Sequence, residues 1–384
     1  MLPKLWRLWM QLIIFGAQGY ALGTYKALRT LYPEKEIPFF IVSAMEGNPA
    51  TLAGIPVKLV SEVSEFYSEE DKDDLEIIIA TPENIQQNIE ETLDEYGFFN
   101  HSRLTSDRWG ELMGAYYAIV GDFEPLETKL CGVSADTDRY RNNLELDIFY
   151  ARSHKDKALK MEIIRPYYMH AIQVGAANTD ERIADITDDI GDNISFKNGN
   201  YCELTGLYWI WKNMMYDDCS VADSERDGII KYFGFAQYRR SFDFVEDDLE
   251  RLISDDIDVL LPYPLMYEPD INMHHERYLK DGDWKALLAA LEELQPEYVD
   301  FFSKVLGQQC MYNYNVILAK KQVLRDYCEW LFPILERVEE LSIPKGDERS
   351  DRYIGYMGET LETLYFMKNK NVLKIVHKEC RMYE

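Results

Sequence analysis

Apolar and polar positions change rhythm repeatedly along this chain, and the changes predict its elements. Near the amino terminus Leu12 to Phe15 form a short apolar run, followed by GAQGYALG, where Gly16, Gly19 and Gly23 lead into a helical stretch ending near Tyr32. Further apolar runs at Pro38–Val42 and Glu76–Ala80 bracket the segment Leu52-Ala53-Gly54-Ile55-Pro56-Val57, and the second run passes through Thr81-Pro82 into a helix over 83–96. Strands alternating with helices of this length predict a small parallel sheet. Strand, glycine turn and helix open a Rossmann-like unit, in which helix amides can receive a phosphate, so Gly16 and Gly19 are candidate cofactor-binding positions. The spacing is looser than G-x-G-x-x-G, and Ile41-Val42-Ser43-Ala44 stands where a dinucleotide site needs an acidic residue.

The text then turns polar and irregular, which predicts a linker over 126–145 between a first domain over 1–125 and a second over 146–384. A strand at Leu146–Ala151 opens the second domain. The densest polar segment, Asp188 to Asn213, reads as a loop feeding a helix from Glu203 to Lys212 with Leu204, Leu207, Tyr208 and Trp211 on one face. Asp192, Asn193, Lys197, Asn198 and Glu203 crowd the approach to that helix, a grouping suited to a ligand's hydroxyls as much as to a turn. In KYFGFAQYRRSF, over 231–242, an apolar strand ends in Arg239 and Arg240. Open α/β sheets bind ligands at the carboxyl ends of their strands, and guanidinium forks match phosphate. The alternative is salt bridging of the arginines to Asp243, Glu246, Asp247 and Asp248.

Composition narrows the classes. At 384 residues, 47% apolar and 13% aromatic, the chain can fill two cores. A formal charge of −27 opposes nonspecific binding to nucleic acid or anionic lipid. The six cysteines lack CxxC spacing, so reduced thiols of a cytoplasmic protein are expected rather than a zinc site or disulfide framework. No apolar run approaches the roughly 20 residues of a membrane span. The opening MLPKLWRLWMQLIIF reads as a lead into the first strand, with interfacial membrane contact the alternative. Asp256 and Asp258 have the spacing of a metal pair suited to Mg2+ or Mn2+, and His274-His275-Glu276 after a proline-rich loop can contact an acceptor or a metal, or form an exposed lid.

Two resemblances add to this. Through IIFGAQGY, LAGIPV and IIIATPEN, roughly the first 125 residues resemble small Rossmann-like modules that precede bacterial sugar-modifying enzymes. Residues 146–384 resemble a family of bacterial glycosyltransferases, first catalogued as a domain of unknown function and found in capsular and exopolysaccharide gene clusters. The carrying motifs are Ser153-His154-Lys155, IQVGAA, DDIGDNISFKNGNYCELTGLYWIWKN, GFAQYRRSF, MYNYNVILAKK with DYCEWLFPIL, and YIGYMGETL. Gln237 departs from the family's usual histidine, and Ser241 from an aromatic residue.

The resemblance implies a GT-A-like domain that transfers a hexose such as galactose from a UDP-linked donor to a glycan or lipid-linked acceptor. It implies substrate contacts by His154, Lys155, Gly175, Tyr238, His275, Asn313 and Asn315, besides the polar group before the aromatic helix. Arg239 and Arg240 are expected to neutralise the departing diphosphate. Glu359, expected at a glycine break before a helix over 360–368, is the carboxylate nearest the reacting centre. Location at the inner membrane face and self-association are further expectations. The rival readings are a non-catalytic nucleotide-sugar-binding partner protein and an NAD-dependent enzyme using the first domain.

Overall fold

A computed structural model describes residues 11–126, 143–160, 163–216 and 229–383. The linker expected over 126–145 falls almost wholly outside the described residues. The chain divides into two compact units, one of residues 1–122 with 265–268, the other of 123–264 with 269–384.

The first unit is built on strands β1 (Gln11–Phe15), β2 (Phe40–Val42), β3 (Thr51–Leu52), β4 (Ile55–Leu59), β5 (Leu75–Ile79) and β6 (His101–Arg103). They lie in the order β3-β4-β2-β1-β5-β6, parallel throughout except for the β3–β4 hairpin. The chain winds outward from β1 one way to β4 and then the other way to β6. That is a Rossmann-like order with its switch point between β1 and β5. Because helices cover both faces of such a sheet, its central strands are apolar throughout. Ile13, Phe15, Ile41, Ile77 and Ile79 accordingly share one buried cluster with Leu93 of the helix Glu83–Glu95.

At the switch point Gly16 and Gly19, the positions expected to bind a cofactor, pack closely against the protein's own backbone. Gly16 has φ +126°, and a Cβ there would lie 2.7 Å from the Ala80 carbonyl at the end of β5. Gly19 opens the helix Gly19–Leu31, and a Cβ on it would lie 3.1 Å from the Met266 carbonyl and 3.4 Å from the Leu265 side chain. The returning segment Leu265–Glu268 therefore lies against the first turn of this helix, and the Glu268 carboxylate accepts the Ala53 amide.

The second unit centres on a mixed sheet. Its strands are β7 (Leu144–Arg152), β8 (Met169–Gln173), β9 (Ile186–Thr187), β10 (Ile230–Gln237), β11 (Arg240–Ser241) and β12 (Val259–Pro262). The dipeptide strand β13 (Leu265–Met266) lies in the segment assigned to the first unit, and the second unit continues with β14 (Cys310–Met311), β15 (Ile317–Lys320), β16 (Ile375–Lys378) and β17 (Arg381–Met382). The order is β16-β12-β15-β10-β7-β8-β9, in which β10, β7, β8 and β9 are parallel and β15 runs against β10. The carboxyl ends of β7, β8, β9 and β10 and the residues entering β15 consequently share one edge.

β10 is the buried strand that its apolar run predicts. Tyr232 donates its hydroxyl to the Leu252 and Ile257 carbonyls, and a Cβ at Gly234 would lie 2.9 Å from Ile148 on β7 and 3.1 Å from Leu318 on β15. The protein is thus a mixed α/β chain with parallel-strand sheets and an α/β unit at its amino terminus.

Gly16→Ala is expected to destabilise the first unit by about 1–3 kcal/mol, since an L side chain adds strain at positive φ and meets a backbone carbonyl. Urea denaturation followed by circular dichroism measures it. An unchanged midpoint would mean that the turn relaxes freely.

Candidate functional site

The shared edge of the second sheet gathers a pair of carboxylates. Glu203 precedes the helix Leu204–Met214, and its Oε1 accepts from Gln237 Nε2 at 3.2 Å and from Asn315 Nδ2 at 3.0 Å. Gln237 Nε2 also donates to the Tyr314 carbonyl at 2.8 Å, so this amide occupies a junction between β10 and the turn before β15. Glu359 comes from the helix Tyr353–Asn369. Its Oε1 accepts the Tyr314 amide at 2.9 Å and its Oε2 accepts from Asn313 Nδ2 at 3.4 Å.

Glu359 therefore sits inside a helix, seven residues after the Arg352 N-cap, rather than at a helix start. The sequence Gly358-Glu359-Thr360 suggests a break, but Gly358 is buried where the helix passes close to Leu204, with a Cβ there only 2.6 Å from Leu204 Cδ1. The glycine marks close packing and not an end.

Burial first, and then the charge of Glu203, raise the Glu359 carboxyl to about 7, against the hydrogen bonds from Tyr314 and Asn313 and the pull of the Arg240 guanidinium. One turn deeper, Glu362 is buried and pushed well above the usual carboxylate range by desolvation and then by Glu359 and Glu203. The backbone here is strained. Tyr314, Asn315 and Cys202 have φ of +76°, +51° and +53°, values that cost non-glycine residues on the order of 1 kcal/mol or more each and that concentrate at functional sites.

The arginines occupy the tight turn after β10. Arg240 pairs opposite Gln237 in the hairpin and lies over the Tyr314 ring at 4.0 Å. Arg239 donates from Nε to the Tyr238 hydroxyl and from Nη2 to the Lys157 and Ala158 carbonyls. Two of the acids expected as alternative partners are engaged elsewhere, Asp243 by Arg381 at 2.6 Å and Asp248 by Lys378 at 3.2 Å. Arg165, which carried no signal in the sequence, braces the turn by donating to the Tyr238 carbonyl while its guanidinium packs 4.3 Å from the Tyr150 ring centre.

Beside this edge lies a cavity of about 700 Å³ lined by His154 and Lys155 after β7, Gly175 after β8, and Lys197 and Asn198, with Glu339 among the residues opposite. Lys197 pairs with Glu339 at 2.5 Å. The His154 Nδ1 atom is buried and, among the described residues, has no hydrogen-bond partner. Gly175 has φ +64° and admits Asn198, whose side chain would lie 2.8 Å from a Cβ there.

Asp188, a residue sequence reasoning passed over, holds this corner. It is fully buried, and its carboxylate accepts the Gly175 amide at 2.9 Å, the Ala176 amide at 3.0 Å and the Ser195 hydroxyl. The doubled acid in Asp188-Asp189 before Gly191 is the signal that could have found it. An internal carboxylate thus fills the amide nest that a phosphate would otherwise use.

Other expected site residues lie apart. Asp192 and Asn193 build the local turn: Asp192 accepts the Tyr208 hydroxyl, and Asn193 bonds the Gly191 carbonyl and the Ser195 amide. His275 is 1% exposed, packed against Trp284, with its Nε2 atom 2.9 Å from the Thr360 hydroxyl and 3.1 Å from the Met311 sulfur. It is a core residue, not part of an exposed lid, and desolvation lowers its pKa to about 3. Asp256 and Asp258 clamp the Lys320 ammonium at 2.6 and 2.8 Å, so a cation of the chain itself already sits between the two carboxylates expected to hold Mg2+ or Mn2+. Among the described residues, no group of three His, Cys, Asp or Glu is arranged to hold a metal ion.

Fold and site together define an α/β protein whose second unit carries a candidate centre, a carboxylate pair in which Glu359 has a raised proton affinity, beside arginines and a polar cavity. The profile described as "Domain of unknown function (DUF4422)" matches residues 149–370, and the chain belongs to that family. Among solved structures it is similar to the apo structure of WbbM, described as a bifunctional glycosyltransferase. The likeness has 29% identity and a TM-score of 0.49, over 62% of this chain and 44% of that one. The chain thus spans less than half the length of that protein. A search of curated proteins finds no match.

Two stability measurements check these assignments. Asp188→Ala strands two buried amides and a hydroxyl and is expected to destabilise the second unit by roughly 2–4 kcal/mol in urea denaturation. For Glu359 the folded-state pKa is raised, so the native protein holds a proton that the unfolded chain has released. Stability then falls as pH rises from 4.5 to about 7, and Glu359→Gln removes that part of the slope. A wild-type and variant pair with parallel stability–pH curves would refute the raised pKa.

Proposed function

We propose that this chain is a glycosyltransferase, moving a hexose such as galactose from a UDP-linked nucleotide sugar to a glycan or lipid-linked acceptor. The observation that carries this reading is the Glu359 carboxyl, half-buried beside Glu203 and raised to about 7. A general base is most effective when its pKa lies near the working pH. In this reading Glu359 takes the proton of an acceptor hydroxyl, the oxygen attacks the anomeric carbon, and the bond from that carbon to the diphosphate oxygen breaks. Glu203 orients Gln237 and Asn315 and keeps the Glu359 proton affinity high.

Arg239 and Arg240, at the turn after β10, meet the charge that grows on the departing diphosphate. The cavity beside His154, Lys155, Lys197 and Asn198 is of a size to take the donor, since ligand cavities run to about 300–1,000 Å³. The motif resemblance in residues 146–384 supports the same assignment, as does the site's position along the carboxyl edge of the parallel strands. The absence, among the described residues, of a helix long and apolar enough to cross a membrane agrees with work at a membrane face or away from it. In capsular or exopolysaccharide assembly such an enzyme would act on the inner side of the membrane.

The test is nucleotide release from UDP-galactose in the presence and absence of glycan acceptors, followed across pH. Activity is expected to rise with pH through about 7, as the Glu359 base form fills. Glu359→Gln should abolish that limb and lower kcat by about 10²–10⁴. Arg240→Met removes a charge that pulls the Glu359 pKa down, so the limb should move to higher pH while kcat falls on the order of a hundredfold. A flat pH profile, or nucleotide binding without turnover, would favour a non-catalytic binding protein. Near-native kcat in both Arg239→Met and Arg240→Met would remove the arginines from the mechanism.

A further inference from the structure

One helical turn before Glu359, on the same face of its helix, stands Tyr356. Its ring stacks on that of Tyr278 with centroids 4.8 Å apart and planes 27° from parallel. Tyr278 belongs to the turn after the short helix Ile271–His275, and it is 47% exposed. With Tyr278 nearly half exposed and Tyr356 partly exposed, the stacked pair offers aromatic ring surface to a ligand beside the carboxylate pair. Neither hydroxyl is bonded to another protein group among the described residues.

The strip continues in polar groups. Arg352, one turn further back, is exposed, and its guanidinium stands 5.7 Å from the Tyr356 ring centre, with Nε donating to the Cys202 sulfur at 3.2 Å. Cys202 adjoins Glu203 in sequence. Apolar ring faces, free phenol hydroxyls, a guanidinium and two carboxylates thus follow one another along a single face. A pyranose has this same combination, an apolar patch of C–H groups on one ring face and a rim of hydroxyls.

Resting on the transferase reading above, we propose that Tyr278 and Tyr356 form the platform on which the acceptor's terminal pyranose stacks, with Arg352 hydrogen-bonding its hydroxyls. The platform holds the acceptor sugar within a helical turn of Glu359, the distance over which the accepting hydroxyl must reach its base. The Arg352 guanidinium carries five N–H donors, so besides its bond to Cys202 it has donors to offer sugar oxygens.

Binding is tested without turnover, using methyl β-D-galactopyranoside as the probe and saturation-transfer NMR on the full chain. In the native protein, saturation is expected at H3, H4 and H5, the apolar ring face. Tyr278→Ala and Tyr356→Ala should each weaken binding by about 3- to 10-fold, while Tyr278→Phe and Tyr356→Phe, which keep the rings, retain it. Melting curves matched to the native protein exclude misfolding as the cause, and the phenylalanine variants carry the test where an alanine variant fails to fold. Equal binding in both alanine variants overturns the platform, and so does an absence of saturation in the native protein. Nucleotide release from UDP-galactose by the native protein judges the transferase reading separately. Tyrosine-dependent glycoside binding without release would refute that reading and leave the platform standing.

Discussion

Glu203 accepts hydrogen bonds from Gln237 at the end of one strand and from Asn315 at the entrance to another, and the centre depends on that junction. Gln237 passes the tie on to the Tyr314 carbonyl, and the Tyr314 amide reaches Glu359 on the last long helix. Four segments distant in sequence are thereby fixed around two carboxylates. Gln237 Nε2 carries two N–H donors, and it donates to both Glu203 and the Tyr314 carbonyl, so a single amide nitrogen ties the carboxylate to the turn.

The same junction works against stability. Bringing Glu359 and Glu362 out of water beside Glu203 penalises their charged forms, and the turn at Tyr314 and Asn315 holds two consecutive non-glycine residues at positive φ. Strain and raised proton affinity persist only where the surrounding packing over-determines them. Here the packing comes from β10, where Tyr232, Phe233 and Phe235 are buried, and from the helix Tyr353–Asn369, whose Ile354, Met357, Leu361 and Leu364 are fully enclosed. Residues that position a site and residues that fill a core alternate along the same elements.

Two glycine turns show close approach of different kinds. At the switch point of the first sheet the Met266 carbonyl packs against Gly19, and at the end of β8 the Asp188 carboxylate takes the Gly175 and Ala176 amides. At Gly175 the physics is hydrogen bonding. Backbone N–H groups left unpaired by a turn must find an acceptor when buried, and a side chain of the same chain serves as well as a bound ion. Glycine at such a turn records a close approach without recording what approaches.

Much of the architecture was legible in the residues. The apolar runs at Leu12–Phe15, Glu76–Ala80 and Tyr232–Ala236 are strands because burial on both faces of a parallel sheet leaves no polar alternation, and that signal is local. The pairing of Glu203 with Asn315 and of Glu359 with Tyr314 was not legible, nor was the identity of Asp188 as an internal anchor. Each joins positions whose proximity is set by strand order and helix packing, neither of which leaves a periodic trace. Glu359 was singled out from its motif but set at a helix start, because Gly358 looks the same in sequence whether it ends a helix or lets one pass close to Leu204. His275 and the Asp256–Asp258 pair looked like ligands for the same reason. Only the folded chain could show that one is buried against Trp284 and Thr360 and that the other is already closed by Lys320. Sequence determined which residues had the chemistry to act, and tertiary structure decided which were spent on the protein itself, since proton affinity and free hydrogen-bonding capacity depend on neighbours that only folding supplies.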